Sequence, residues 1–439
     1  MTKDPTPVAT SARYHPALRS ALLFLNFFVI LLAYYQVKPA SRSLFLEYSD
    51  ASQLPYVWTA SGVLLLMLMP FYQRLIQRFE RIPFVVGTCA VVVALLLAFR
   101  LLLNEPGPAV AVGFYIFVDI ISVVLVEQFW SLTNSLYDKR EGRHWYGLIA
   151  SGGLLGGLVG GFAASWLVAQ GGLTTEDLIV VAALLLAGMM ALTWRMAAAG
   201  MYREAPRRQA EATGSNLAMA DIWQSLTSNR VVGLLALLLL ASQVCEPLVE
   251  YQFMHIVEAS YSNAEVRTAY LSGFLGVLSG AALGINLLIT PLLHRYGGAI
   301  AGMMVQPILL GCSAFAFAMH ADLRSASLMK IADRSLSYSV NRASRELFYI
   351  SADARTIFKV KAWIDMVGYR AFRIVGNCLI LLMTQVLPWQ VGDRAMSGVV
   401  LAVCCGWTFG VLALHRATVR SRHTAPPTLS RGGPQEATT

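Results

Sequence analysis

The chain has 439 residues, of which 56% are hydrophobic and only 13% charged, and its mean hydropathy is +0.57. Soluble chains carry about 25% charged residues, so this composition excludes a water-soluble globular protein along with the disordered, collagenous and disulfide-scaffold classes. The formal charge of +9 belongs to basic loops on one side of a membrane, and no nucleic-acid partner is needed to explain it.

A helix crosses a bilayer with about 20 apolar residues. Stretches that qualify lie near 20–37, 54–73, 83–103, 108–134, 146–170, 177–198, 231–256, 268–293, 298–319, 325–350, 362–388 and 396–415, the tenth being unusually polar. The expectation is an all-α polytopic membrane protein with twelve transmembrane helices in two six-helix halves. The halves are 1–198 and 231–415, joined by a cytoplasmic central loop at 199–230 and followed by a disordered cytoplasmic tail at 416–439. The stretch 219–230 reads as a short amphipathic helix on the cytoplasmic surface. No segment is left over for a soluble catalytic domain.

Basic residues alternate with the crossings. They gather at Lys3, Arg13 and Arg19, then Arg74, Arg78 and Arg81, then Lys139, Arg140 and Arg143, then Arg203, Arg207 and Arg208. Arg355, Lys359 and Lys361 follow, and finally Arg416, Arg420 and Arg422. By the positive-inside rule both termini are expected to be cytoplasmic. The first span has a long polar lead and no small-residue cleavage site, so it reads as uncleaved. All six cysteines lie in apolar spans without metal-ligand spacing, so neither a metal nor a cofactor is expected.

Charges inside the spans are costly, about 2.5–3.5 kcal/mol each at the bilayer centre, and therefore mark function. The first span ends in "YYQVKPASRSLFL" (34–46), with Lys38 and Arg42. These two either hold a ligand or snorkel to the outer interface. The fourth carries Asp119 and Glu127 two turns apart. The fifth contains "GLIASGGLLGGLVGG" (147–161) and the eighth Gly273, Gly276, Gly280 and Gly284, small-residue stripes that suit sliding or static helix contact. No Gly-Lys-Ser/Thr follows them, so a P-loop is excluded. The seventh sets Glu246 and Glu250 one turn apart around Pro247.

The tenth span reads "LMKIADRSLSYSVNRASRELFYI" (328–350). Spacings of three and four place Lys330, Arg334, Tyr338, Asn341 and Arg345 on one face. Lys330–Asp333 and Arg342–Glu346 are spaced as local ion pairs, which leaves Arg334 and Arg345 as the unpaired cations. The eleventh adds Asp365, Tyr369, Arg370, Arg373 and Asn377. Arg donates bidentately to phosphate and carboxylate, so a wet cavity lined by these groups suits an organic anion. Tyr35, Trp130, Tyr251, Tyr338 and Trp363 either stack a base there or simply pack. Arg345, Glu346, Arg355, Lys359 and Lys361 also fit salt-bridged contacts at a cytoplasmic mouth.

Two six-helix halves with short basic turns, "FYQRLIQRFERIP" (71–83) and "LLHRYGGA" (292–299), resemble the layout of major facilitator transporters. More specifically, "YYQVKPASRSLFL", "LPYVW" (54–58), "FWSLTNSLYDKREGRHWYGLIASGGLLGGLVGG" (129–161), "LVEYQF" (248–253), "KIADRSLSYSVNRASRELFYI" (330–350) and "KVKAWIDMVGYRAFRIVGN" (359–377) resemble the ATP/ADP translocase family. That family comprises nucleotide transporters of plastids and obligate intracellular bacteria, with shorter bacterial relatives.

The resemblance implies nucleotide exchange (antiport), with roles for Lys38 or Arg42, Asp119 or Glu127, Glu250, and Lys361. Where the exchangers carry a basic pair three apart followed by Asp-Thr, this chain has Lys38, Ser41, Arg42 and Ser43. That moves one cation by roughly 100° around a helix.

The resulting expectation is a secondary active transporter, not an enzyme, moving an organic anion (a phosphorylated one, with a nucleotide as the cargo the resemblance implies) across the lipid bilayer, which the resemblance makes a bacterial inner membrane, by alternating access. Lys38, Arg42, Arg334, Lys361, Arg370, Arg373 and Tyr338 would bind the anion. Asp119, Glu127, Glu246, Glu250 and Asp365 would couple or gate. The alternative is a proton-coupled carrier for another organic anion or amphiphile, with Glu246, Glu250 and His255 as the protonation switch. An intramembrane transferase built on His144 beside Asp138 and Glu141 is a third.

Overall fold

A computed structural model describes residues 16–105, 107–137, 139–202, 230–351, 368–386 and 391–424. The regular elements among them are helical. They are α1 Pro16–Tyr48, α2 Leu54–Arg78, α3 Arg81–Leu102, α4 Pro108–Leu136, α5 Lys139–Ala169, α6 Asp177–Ala198, α7 Arg230–Ser260, α8 Ala264–Gly284, α9 Thr290–Met319, α10 Leu323–Leu336, α11 Arg342–Ser351, α12 Tyr369–Leu381 and α13 Asp393–Thr424. Three π turns, Ile285–Ile289, Ser337–Asn341 and Leu382–Val386, continue α8 into α9, join α10 to α11 and extend α12. The tenth expected span is therefore α10 plus α11, the eleventh contains α12 and the twelfth is α13.

Local chemistry sets the ends. Proline opens α2 and α4, where its missing N–H is no loss. Asn263 caps α8, and Asp322 with Ser325 forms a capping box on α10. Gly298, inside the stretch assigned to α9, has φ 70°, a left-handed conformation that glycine alone adopts cheaply. It breaks the otherwise continuous run Ala264–Met319.

Nine helices among the described residues are long and apolar enough to cross a membrane, with Ala264–Met319 taken as one. The charged α10–α11 pair is not among them, and most of the central loop, including 219–229, lies outside the described residues. α13 continues to Thr424, so 416–424 is helical where a disordered tail was expected. Exposed Leu101, Leu184, Leu288, Trp194 and Phe409 supply the apolar outer surface that a bilayer requires. The protein is a multi-pass membrane protein.

Two cores organise the packing. One is built wholly from residues between Leu23 and Tyr202, where α1 packs on α4, α5 and α6, and α3 on α6. The other gathers residues of α7 through α13, where α7 packs on α10, α12 and α13. This second core also takes in Phe45 and Leu46 at the end of α1, and Leu54, Val57 and Trp58 at the start of α2. So the two groups of helices are sealed together by apolar packing at that end of the molecule.

The fifth-span glycines explain the junction. Gly152, Gly156 and Gly160 lie against the α1 backbone, while Gly157 and Gly161 lie against Ser279 and Gly276 of α8. A Cβ on Gly161 would stand 2.5 Å from the Gly276 nitrogen, so backbone would have to move. Overpacking of this kind costs about 1–3 kcal/mol. Gly161→Ala should lower the unfolding temperature in detergent. Gly188→Ala in α6, where nothing lies within 4 Å, should leave it unchanged.

Candidate functional site

Four helices bring their charges to one depth. Lys38 lies ten residues before the end of α1 and Glu250 ten before the end of α7; Asp119 lies eleven after the start of α4 and Arg334 eleven after the start of α10. At 1.5 Å per residue each of these positions is about 15 Å from one end of its helix. They surround a chamber of about 980 Å3, to which Arg370 and Arg373 contribute from α12. Lys38, Arg42, Glu250, Arg334 and Tyr338 also border an annex of about 500 Å3, walled by Phe253, Leu271, Phe274 and Leu278.

The charges are held in two clusters. On the α1 side, Arg42 Nη2 donates to Asp119 Oδ1 at 2.5 Å and Nη1 to Ser41 Oγ at 2.9 Å. Its guanidinium stacks 4.3 Å from the Tyr115 ring centroid, and the Tyr115 hydroxyl accepts Trp58 Nε1–H at 2.7 Å. Lys38 rests over the rings of Tyr34 and Tyr35, at 5.4 and 5.8 Å. Among the described residues no carboxylate lies within ion-pair distance of Lys38. The four-residue spacing of Lys38 and Arg42 keeps both on the chamber face of α1.

On the α7 side, Arg334 Nη2 forms an ion pair with Glu246 Oε1 at 2.6 Å and lies 3.8 Å from Glu250 Oε2. Arg373 Nη1 meets the same Glu246 oxygen at 3.3 Å, and Lys330 pairs with Glu250. Two guanidinium groups thus share one carboxylate. Pro247 interrupts α7 between the two acids, and Gly376 of α12 packs directly on its ring. Tyr338, half exposed in the chamber, accepts from Arg334 Nη1 at 3.3 Å.

Several expectations need correction. Arg334 is not unpaired: Glu246 and Glu250 hold it from α7. Lys330 pairs with Glu250 across helices, not with Asp333 on its own helix, because Asp333 turns inward to Gln306. The five-residue stripe along the tenth span is broken. The π turn Ser337–Asn341 shifts the helical phase, so that Asn341 is buried and donates to Gln306 at 2.5 Å. Such turns recur at functional sites.

Glu127 is exposed and away from the chamber lining, acting on Arg370 from the far part of α4. His255 pairs with Asp393 at 2.8 Å near the end of α7, apart from Glu246 and Glu250. Trp130 packs among Phe27, Phe129 and Tyr146, and Tyr251 stacks on His255. His144 stands edge-on to Trp145. Lys361, Asp365 and Trp363, with Arg355, Lys359 and Asp138, lie outside the described residues. Trp58 and Tyr115, which brace Arg42, were not foreseen, although Trp58 closes the segment "LPYVW".

Beyond the chamber, towards the ends of α1 and α7, polar ties join the two groups of helices. Arg267, buried near the start of α8, donates to Ser43 O at 3.0 Å, reaches Glu47 Oε2 at 3.5 Å, and donates twice to Tyr261 O. Ser43 Oγ donates to Ala264 O at 2.7 Å, Ala51 N to the Glu258 carboxylate at 3.2 Å, and Thr175 Oγ1 to Thr268 Oγ1 at 3.0 Å.

The sequence profile of the TLC ATP/ADP transporter matches residues 111–333. The ADP,ATP carrier protein 1 of Chlamydia muridarum (strain MoPn / Nigg) is 24% identical over 292 residues, which is 59% of this chain and 55% of that protein. The protein of the same name from Chlamydia pneumoniae is 21% identical over 343 residues, 69% of this chain and 66% of the relative. The chain thus spans little more than half the length of the first of these relatives.

Among solved structures, a bacterial homologue of the iron transporter ferroportin in an inward-facing state superposes with a TM-score of 0.61 at 15% identity, over 91% of this chain and 99% of that one. The nucleoside transporter NupG gives 0.59 at 14% identity, over 92% and 98%. At such identities these likenesses show the fold, which is that of a major facilitator-like transporter.

Proposed function

The chain belongs to the TLC ATP/ADP transporter family, and on that premise we propose that it is a secondary carrier of a phosphorylated organic anion, a nucleotide foremost, working by alternating access. The observation that carries this is the charged chamber, where Arg334 and Arg373 share Glu246 and Lys38 faces the cavity over the rings of Tyr34 and Tyr35, with no carboxylate in ion-pair distance among the described residues. More guanidinium and ammonium groups than carboxylates line that space. A phosphate entering it displaces the single Glu246 oxygen that the two guanidinium groups share and can accept two parallel bonds from an Arg fork. Tyr34, Tyr35 and Tyr338 offer faces for the organic part of the cargo.

In this reading the helices within 1–198 and those within 231–415 rock against each other across the α5–α8 glycine contact. Both termini face the cytoplasm of a bacterial cell, so the end of the molecule tied by Arg267, Ser43 and Glu258 faces outward. The chamber is then closed to the outside and reached from within. Arg42, Arg334, Arg370, Arg373, Lys38 and Tyr338 bind, with Lys361 assigned by motif alone. Asp119, Glu246 and Glu250 compete with cargo for the cations; Glu127 and Asp365 are assigned to gating from sequence.

Proteoliposomes preloaded with ADP and given labelled ATP outside test the reading. Uptake that requires internal ADP is the expected result. Absence of uptake, with or without a pH gradient, overturns nucleotide exchange.

A further inference from the structure

Behind the chamber, on the face of α10 turned away from the cavity, lies a carboxylate that the anion site does not use. Asp333 is 2% exposed. Its Oδ1 accepts Gln306 Nε2–H of α9 at 3.5 Å, and the same amide donates to the Asp333 carbonyl at 3.2 Å. Its Oδ2 is buried without a hydrogen bond. The nearest cation to that oxygen is Arg334 Nε at 4.0 Å, and the guanidinium is turned the other way, onto Glu246.

The charged and titratable groups around Asp333 can be taken element by element. On α10 they are Lys330 and Arg334; on α7, Glu246, Glu250 and Cys245, the last of which faces Cys404 of α13. α9 offers the amide of Gln306, itself fixed by Asn341. Tyr270 of α8 bonds Ser327 about two turns away. Lys330 is engaged with Glu250. Lys330 and Arg334 both act on Asp333 and both border the cavity, but Lys330 is tied to Glu250, whereas Arg334 reaches Asp333 Oδ2 itself, so Arg334 carries the linkage.

We propose that Asp333 is a proton-binding site whose occupancy is linked to cargo through Arg334. A proton can be added at Oδ2 without breaking any hydrogen bond of the fold. When a cargo anion draws the Arg334 guanidinium into the chamber, the cation withdraws from Asp333, and a proton from chamber water replaces its charge: carboxylate and H+ become carboxylic acid. When the cargo leaves and Arg334 returns, the proton departs to the side the chamber then faces. One anion and one proton thus travel together. The linkage rests on the transport reading above; proton binding at Asp333 does not.

The protein in proteoliposomes on a solid-supported membrane is stepped from alkaline to acidic buffer with no organic anion present. The wild type should give a transient proton-binding current, and D333N should abolish it. Asn is isosteric, and Lys330 and Arg334 keep their glutamates, so D333N should unfold within a few degrees of the wild type. A folded D333N that retains the current overturns the proposal, as does a wild type without one.

If D333N fails to fold, infrared difference spectra of wild-type protein with isotopically labelled aspartate decide. A buried aspartic acid band that titrates supports the proposal, and its absence overturns it. Labelled ATP separates the two readings: a proton current without ATP uptake leaves the proton site standing and removes nucleotide exchange, whereas ADP-dependent uptake without a current does the reverse.

Discussion

Replacing Arg334 by Gln should lower transport by roughly a hundredfold or more while the protein still folds. The estimate follows from charge-assisted hydrogen bonds worth about 1.5–3 kcal/mol each, two of which a guanidinium fork makes to one phosphate. About 3 kcal/mol lost in binding corresponds to somewhat more than two powers of ten. The fold survives because Glu246 keeps Arg373 at 3.3 Å, Glu250 keeps Lys330, and Asp333, which loses its nearest cation, keeps the Gln306 amide and can take up a proton.

Glu246→Gln is the informative contrast. It removes the anion that Arg334 and Arg373 share, leaving Arg334 with Glu250 at 3.8 Å and Asp333 at 4.0 Å. Binding of cargo should then persist or tighten while turnover falls, because the competitor that releases the anion is gone. Arg334→Lys keeps the charge and loses the fork, and should recover only part of the loss. Initial rates of labelled substrate uptake, with thermal unfolding as the check on folding, distinguish these outcomes. Equal rates in wild type and R334Q would remove Arg334 from the site.

How the sequence foretold this arrangement depends on what each residue interacts with. The spans were legible because a bilayer demands about 20 apolar residues at a time; α3 at Arg81–Leu102 and α6 at Asp177–Ala198 fall within two residues of the expected ranges. The chamber cations were legible because charge inside such spans has no other excuse. The pairing was not. Spacing along one helix detects only partners three or four residues apart, so Lys330 was matched to Asp333, whereas the fold brings Glu250 from 80 residues away. The π turn at Ser337–Asn341 has no sequence signature, and it moved Asn341 from the chamber face into the core. Arg267 passed unnoticed because it follows the sparse loop "EASYSNAE" and looks like an ordinary interfacial cation; only its contacts with Ser43 and Glu47, more than 200 residues earlier, give it meaning.

Arg267→Ala should open the chamber on the side where α1 ends. The side chain is 3% exposed and makes three hydrogen bonds to two main-chain carbonyls, of which the one to Ser43 crosses from α8 to α1. That bond and the Glu47 contact exist only while the two groups of helices are closed at this end. Losing a charged hydrogen bond worth about 1.5–3 kcal/mol from one state alone shifts the balance between closed and open by roughly tenfold or more.

Ser122 on α4 lines the chamber, with its hydroxyl bonded to Asp119 O and beside Tyr34, so S122C in a cysteine-free background reports on access to the chamber. A membrane-impermeant thiol reagent added outside should label S122C several times faster when Arg267 is Ala. Thr175→Val, which removes a neutral tie to Thr268, should produce a smaller change of the same sign. Labelling that is unaffected by R267A would mean that the apolar seal of Phe45, Leu46, Leu54 and Val57 alone keeps this end shut. Faster labelling from the opposite face instead would reverse the assignment of outside and inside.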